Sequence, residues 1–250
     1  MKICAAQIRP VKGNVQTNIN RHKELIGLAV ANGADLVFFP ELSVTGYEPE
    51  LAKELATDKE DSRFDILQQL SDEHRIIITA GMPIKSEMGV LIGMIIFQPY
   101  QPRQLYAKQH LHSDEYPYFV AGRDNVFIKK DEHVISFAIC YELFVPEHAA
   151  LASKKGADIY IASVAKTPEG MMKASPTLSE IAGRYSMSVV LSNYVGHCDN
   201  FDCGGNSAAW NNKGILTGQL DEINEGILIV DTDTHGVTKE VYGADRRSFI

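Results

Sequence analysis

In GADLVFFPE, residues 33–41, a near-continuous apolar run from Ala34 to Phe39 stops at Pro40, and Glu41 follows directly. A strand of that composition is buried on both faces, as in a parallel sheet covered by helices. The residues before it, Asn14 to Asn32, carry Ile19, Leu25, Leu28 and Ala29 near helical spacing and predict a long amphipathic helix. Lys2 to Ile8 predicts a strand ahead of that helix. A second GAD, in GADIYIASV (residues 156–164), again follows a helical stretch and opens an apolar strand. The echo points to two related units placed about a pseudo-two-fold axis.

The same alternation runs through the chain. Ser62 to His74 predicts a helix, and Arg75 to Met82, Val90 to Gln98 and Arg103 to Lys108 predict strands. Further strands are expected at Val134–Ile139, Asp158–Ser163, Val189–Tyr194 and Ser207–Trp210, with helices over Pro146–Lys155 and Ser175–Ser186. No Ser/Gly/Pro-rich linker or low-complexity tract interrupts the pattern. The expectation is a single α/β domain over residues 1–250.

Composition narrows the function classes. Of 250 residues, 45% are hydrophobic and 22% charged, as in an ordinary globular protein with a real core. A formal charge of −8 without any Lys/Arg cluster argues against a nucleic-acid partner. Apolar runs such as Ile76–Ile78 and Val189–Leu191 are strand-sized, so no membrane partner is expected. The opening MKICAAQI has one lysine and no long apolar leader, and a cytoplasmic location is expected. Cys4, Cys140, Cys198 and Cys203 are then expected to be thiols.

Four polar residues close, or directly follow, apolar strands: Glu41, Lys108 in LYAKQHL, Glu115 in SDEYPYF, and Cys140 in ISFAICYELF. Each alone reads as surface charge or core filler, but strand ends on one edge of an α/β sheet converge on one site. Their chemistry is coherent. A thiol of pKa about 8.5 needs a base or a positive field to ionise. A buried glutamate can take its proton, and a lysine with a backbone N–H can hold the oxyanion of a tetrahedral intermediate.

FPELSVTGY, YAKQHLHSDEYPYFVAG and AICYELFVPE resemble the three signature blocks of the nitrilase superfamily, the carbon–nitrogen hydrolases, in that family's order and near its spacing. MKICAAQIRPVKGNVQTNINR, VVLSNYVG and GGNSAAWNNKG resemble its remaining pattern, so the likeness covers nearly the whole chain. The resemblance implies a four-layer α-β-β-α sandwich and a Glu-Lys-Cys triad with a second glutamate. It makes Glu41 the general base, Lys108 the oxyanion-stabilising cation, Cys140 the nucleophile and Glu115 the supporting carboxylate, with the Tyr141 N–H completing the oxyanion hole. It implies cleavage of a non-peptide C–N bond through a thioester, no cofactor, and a homodimer or higher homo-oligomer.

The chain departs from the family pattern at Ser136, where glycine is usual, at Val145-Pro146-Glu147, and over Ile181–Tyr185. These changes leave the triad alone and bear on transfer of a specific substrate and of the contacts that the Ile181–Tyr185 helix makes at a dimer interface or near the pocket. His110, His112, His197, Cys198 and Cys203 match no common zinc spacing, so no metal is expected. Tyr47, Tyr116, Tyr118, Phe119 and Phe144 flank the catalytic positions and are candidates to line the pocket. Lys166 and Arg184 are candidates to bind a substrate carboxylate. A small linear amide of the ω-amide or N-carbamoyl type is the expected substrate; Cys-Tyr-Glu in place of Cys-Trp-Glu disfavours nitriles. Acyl transfer to a small amine, or a non-catalytic binding role on the same fold, are the alternatives.

Overall fold

In the computed structural model, which describes residues 1–243, the first helix-GAD-strand stretch is a β-α-β unit. It comprises β1 (Lys2–Gln7), α1 (Val15–Ala31) and β2 (Leu36–Phe38). Then come α2 (Ala52–Leu55), α3 (Asp65–His74), β3 (Ile77–Ser86), β4 (Gly89–Phe97), β5 (Gln104–Ala107) and β6 (Phe127–Lys130). The second unit holds β7 (His133–Ile139), α4 (Pro146–Lys154) and β8 (Ile159–Ser163), followed by α5 (Pro168–Tyr185) and β9 (Ser188–Ser192). The chain continues through β10 (Val195–Cys198), β11 (Phe201–Gly204), β12 (Ala208–Trp210), β13 (Leu216–Gln219), β14 (Gly226–Asp231) and β15 (Val237–Val241).

Two large sheets result, ordered β15-β14-β1-β2-β3-β4-β5 and β13-β12-β9-β8-β7-β6, beside a β10-β11 hairpin. Each has a parallel trio, β1-β2-β3 or β7-β8-β9, with an antiparallel strand on either side. The predicted pseudo-symmetry is therefore present in the topology, and GAD is its hinge. Gly33 and Gly156 end α1 and α4 with φ of 72° and 83°, where a side chain would be strained. Asp35 then accepts the Lys2 N–H at 2.8 Å, and Asp158 accepts the Val134 N–H at 2.7 Å. The same two aspartates bond by their own backbones to the first and third strands of each trio.

Both faces of the central strands are covered. On β8, Ile159 and Ile161 face the core shared by the two sheets, while Tyr160 and Ala162 join Leu178 and Ala182 of α5 in a second cluster. This is the period-2 alternation of a strand buried on both sides, and it produces the α-β-β-α layering. Among the described residues no helix is long and apolar enough to cross a membrane.

Helix α5 starts at Pro168, seven residues before the predicted Ser175. Thr167 caps it, accepting the Gly170 N–H, and Pro168 takes the first-turn position that needs no N–H. Pro176, near the start of the sequence-based reading, lies well inside the helix. Strand β14, rich in branched residues, pairs with β1 and lies outside the predicted elements.

Candidate active site

Glu41, Lys108, Cys140 and Lys166 stand just past the C-terminal ends of β2, β5, β7 and β8, and Glu115 lies in the loop after β5. Facing sheets thus deliver them to one place. Lys108 Nζ lies 2.7 Å from Glu41 Oε1 and 2.6 Å from Glu115 Oε1, and all three side chains are fully buried. Glu115 also accepts the Tyr47 hydroxyl at 3.0 Å and the His112 N–H at 2.8 Å. Glu41 Oε2 is buried with no hydrogen-bond partner among the described residues.

Burial dominates the electrostatics of this carboxylate. Burial raises the Glu41 pKa, Lys108 lowers it and Glu115 raises it again, leaving it pushed up to about 7. Lys108 is held charged: burial opposes its charge, but Glu41, Cys140 and Glu115 outweigh burial and the net shift is upward. Cys140 is pushed up to about 11 by burial, against which the strongest favourable charge is Lys166, followed by Lys108 after the opposing Glu41. These shifts favour a protonated Cys140 thiol beside a carboxylate whose ionisation falls near neutral pH.

Cys140 ends β7 and opens a short 3-10 turn, Cys140–Phe144, with φ of 47°. A left-handed φ at a non-glycine residue is a costly conformation typical of functional sites. In this turn the Tyr141 N–H belongs to the first-turn donors that lack a partner within the turn. Glu142, absent from the sequence-based candidates, is fully buried and locks the turn. Its Oε2 accepts the Ile139 N–H and the Tyr106 hydroxyl, each at 2.7 Å; its Oε1 accepts the Gln109 N–H at 2.7 Å. Only its place two residues after the cysteine could have signalled it.

The Glu41 loop is fixed from two sides. His22 of α1 stacks on Phe39 at 3.9 Å; its Nδ1 donates to the Asn18 carbonyl, and its Nε2 accepts the Ser43 hydroxyl at 2.9 Å. Ser43 Oγ in turn accepts the Gly81 N–H at 3.0 Å. A Cβ on Gly81 would stand 2.3 Å from the Leu42 nitrogen, so only glycine lets β3 approach this loop.

A cavity of about 280 Å³ opens onto Cys140. Tyr47, Phe144 and Lys166 line it as the sequence suggested, together with His112, Tyr141 and Phe201. Two aromatic candidates fall elsewhere. Tyr116 is 66% exposed and Phe119 is buried in the core. The turn that begins at Glu115 causes this, because the Tyr118 and Phe119 N–H groups both return to the Glu115 carbonyl and splay the side chains apart. Tyr118 lines an adjoining cavity with Glu50, Asp114 and Asp199. Arg184 pairs with Glu180 and lines a separate cavity under α5. The four cysteines are free thiols, and no group of three or more potential metal ligands occurs among the described residues.

Residues 2–239 match the sequence pattern described as carbon-nitrogen hydrolase. The chain is 24% identical over 242 residues to the glutamine-dependent NAD(+) synthetase of Aquifex aeolicus (strain VF5), covering 93% of this chain and 42% of that protein. It spans 42% to 44% of the length of the synthetases of this kind that it matches. It is 31% identical over 134 residues, 52% of each chain, to the 2-oxoglutaramate amidase of Bacillus subtilis (strain 168). In fold it is similar to an amidase from Nesterenkonia sp. AN1, solved as a cysteine-to-alanine mutant with butyramide. The TM-score is 0.84 at 21% identity, over 92% of this chain and 90% of that one.

Proposed function

The chain belongs to the carbon–nitrogen hydrolase family, and from that premise we propose that it hydrolyses a small linear amide through a thioester on Cys140. The observation that carries this reading is the second oxygen of Glu41, which no other group among the described residues bonds and which has the Cys140 thiol near enough to lower the Glu41 pKa. Lys108 holds the other Glu41 oxygen, so the free one can face the thiol and take its proton.

In the proposed sequence Glu41 removes the Cys140 proton as Sγ attacks the amide carbon. The carbonyl oxygen becomes an oxyanion that Lys108 Nζ and the Tyr141 N–H hold. Glu41 passes the proton to the departing nitrogen, the C–N bond breaks, and ammonia or an amine leaves a thioester. Water then enters and Glu41 takes one of its protons as the oxygen attacks. Collapse expels the thiol, which regains a proton, and frees the acid. Glu115 keeps Lys108 charged and oriented throughout.

A cavity of about 280 Å³ suits a short acyl chain, and Tyr47 and Phe144 give it apolar walls. ω-Amides and N-carbamoyl compounds are the proposed substrates. Two relatives support the first class, one named for its dependence on glutamine and one for 2-oxoglutaramate. Ammonia release from a panel of short ω-amides and N-carbamoyl compounds tests the reading. Turnover that is lost in Cys140→Ala and in Lys108→Met supports it, and undiminished turnover in either variant refutes it.

A further inference from the structure

Lys166 is 9% exposed, yet its ammonium forms no ion pair or hydrogen bond with any described residue. Its backbone is fixed. Asn193 bonds both its N–H, at 2.9 Å, and its carbonyl, at 3.1 Å, and the Gly204 N–H adds a third bond to that carbonyl. Its Nζ lies 4.6 Å from the centre of the Phe144 ring, and the side chain lines the cavity that opens onto Cys140. A lysine side chain enclosed to this degree normally has a carboxylate beside its ammonium. None is supplied here, although the same site gives Lys108 two.

The wall next to Lys166 has the same sign. Thr167, the N-cap, and Gly170, in the first turn of the 18-residue helix α5, line the cavity beside it. Backbone dipoles concentrate partial positive charge at that end of a helix. Glu169, the acid of this turn, is exposed and does not line the cavity. Negative groups gather on another side: Asp114, bonded to His112 at 2.5 Å, and beyond it Glu50 and Asp199 in the adjoining cavity.

We infer that Lys166 and the N-terminal turn of α5 form a subsite for an anionic group, and that the substrate is an amide bearing a carboxylate at its far end. This rests on the proposed amidase reading and narrows it. The carboxylate completes an ion pair that the folded chain leaves open, and the acidic side of the pocket sets the direction in which the substrate lies. Selectivity for charge then comes from one ammonium at the cavity wall rather than from the triad.

The test is a charge series on one skeleton: succinamate, butyramide and 3-aminopropanamide, whose tips are anionic, neutral and cationic. Binding is measured by calorimetry on Cys140→Ala, which needs no turnover, and kcat/KM on the wild type. The expected result is that Cys140→Ala binds succinamate at least ~10-fold more tightly than the other two, a charge-assisted bond being worth about one factor of ten or more. Adding Lys166→Met to Cys140→Ala removes that preference, while adding Arg184→Met, in a separate cavity, leaves it in place. Equal binding of the three compounds, preference for the cation, or an anion preference that survives Lys166→Met overturns the subsite. A Lys166-dependent anion preference without turnover of any amide by the wild type would instead defeat the amidase reading and leave the subsite standing.

Discussion

Glu142 Oε1 accepts the backbone N–H of Gln109 at 2.7 Å, which ties the turn carrying Cys140 to the strand end carrying Lys108. The two belong to different sheets, so this one carboxylate sets the spacing between thiol and ammonium across the sandwich. The Tyr106 hydroxyl strengthens the tie and is itself 2.9 Å from His148 Nε2, whose Nδ1 is 2.9 Å from the Tyr160 hydroxyl.

Glu142→Gln keeps the shape but places an amide N–H₂ where donors already converge. Bonds to a buried charge are worth about 1.5–3 kcal/mol each, so a loss of roughly 3 kcal/mol of stability is expected in urea unfolding. A kcat about 10- to 100-fold lower, with a smaller change in KM, is expected for a misplaced pair. Wild-type stability together with wild-type kcat would show that the tie does not position the site.

The pH dependence of turnover follows from Glu41. Only its ionised form accepts the thiol proton, and its pKa is pushed up to about 7. The account predicts that kcat/KM falls about tenfold per pH unit well below pH 7 and levels off above it. Glu41→Gln should lower the rate by roughly 10²- to 10⁴-fold. A profile flat from pH 5.5 to 8 would contradict the assignment of the base.

His22 gives a separate pH signature, in stability. Burial, partly offset by its bond to the Asn18 carbonyl, lowers its pKa from 6.5 to about 4. The unfolded chain therefore binds the extra proton first as pH falls. The contribution is complete above about pH 6.5, declines below it, and is lost by about pH 4, amounting to about 3 kcal/mol. His22→Gln should remove that acid-side decline from the urea midpoint measured between pH 7 and 4. An unchanged slope would show that His22 is not the group responsible.

Gly81→Ala inserts a methyl group 2.3 Å from the Leu42 nitrogen and forces the Glu41 loop away from β3. Overpacking of this kind costs about 1–3 kcal/mol, and a shift near 1 Å in the base costs about 100-fold in rate. Thermal unfolding and ammonia release measured on the same preparation check both effects. A fully active Gly81→Ala enzyme would mean that the loop has room the structure does not show.

Much of this was legible in the sequence because the signals are local. Branched apolar runs, the two GAD turns and strand-end polar residues each declare themselves within about ten positions; they indicate an α/β domain with Glu41, Lys108, Glu115 and Cys140 at strand ends, while the four-layer sandwich is implied by the resemblance of three blocks to the carbon–nitrogen hydrolases. What escaped depends on distant partners. Glu142 looks like any helix-start glutamate until Gln109 and Ile139 are seen donating to it. Phe119 and Tyr116 differ in burial only because both sit on one turn anchored at Glu115. Pro176 hides the first two turns of α5, and with them the positive wall beside Lys166.

The central claim is covalent chemistry at Cys140, and intact-protein mass spectrometry after rapid acid quench tests it most directly. During turnover of whichever amide of the charge series releases ammonia, the wild type should gain the mass of the acyl group less one hydrogen. Peptide mapping should place the adduct on Cys140, and Cys140→Ala should show neither adduct nor ammonia. Ammonia release that persists in Cys140→Ala, or an acyl group found on another residue, would contradict the account.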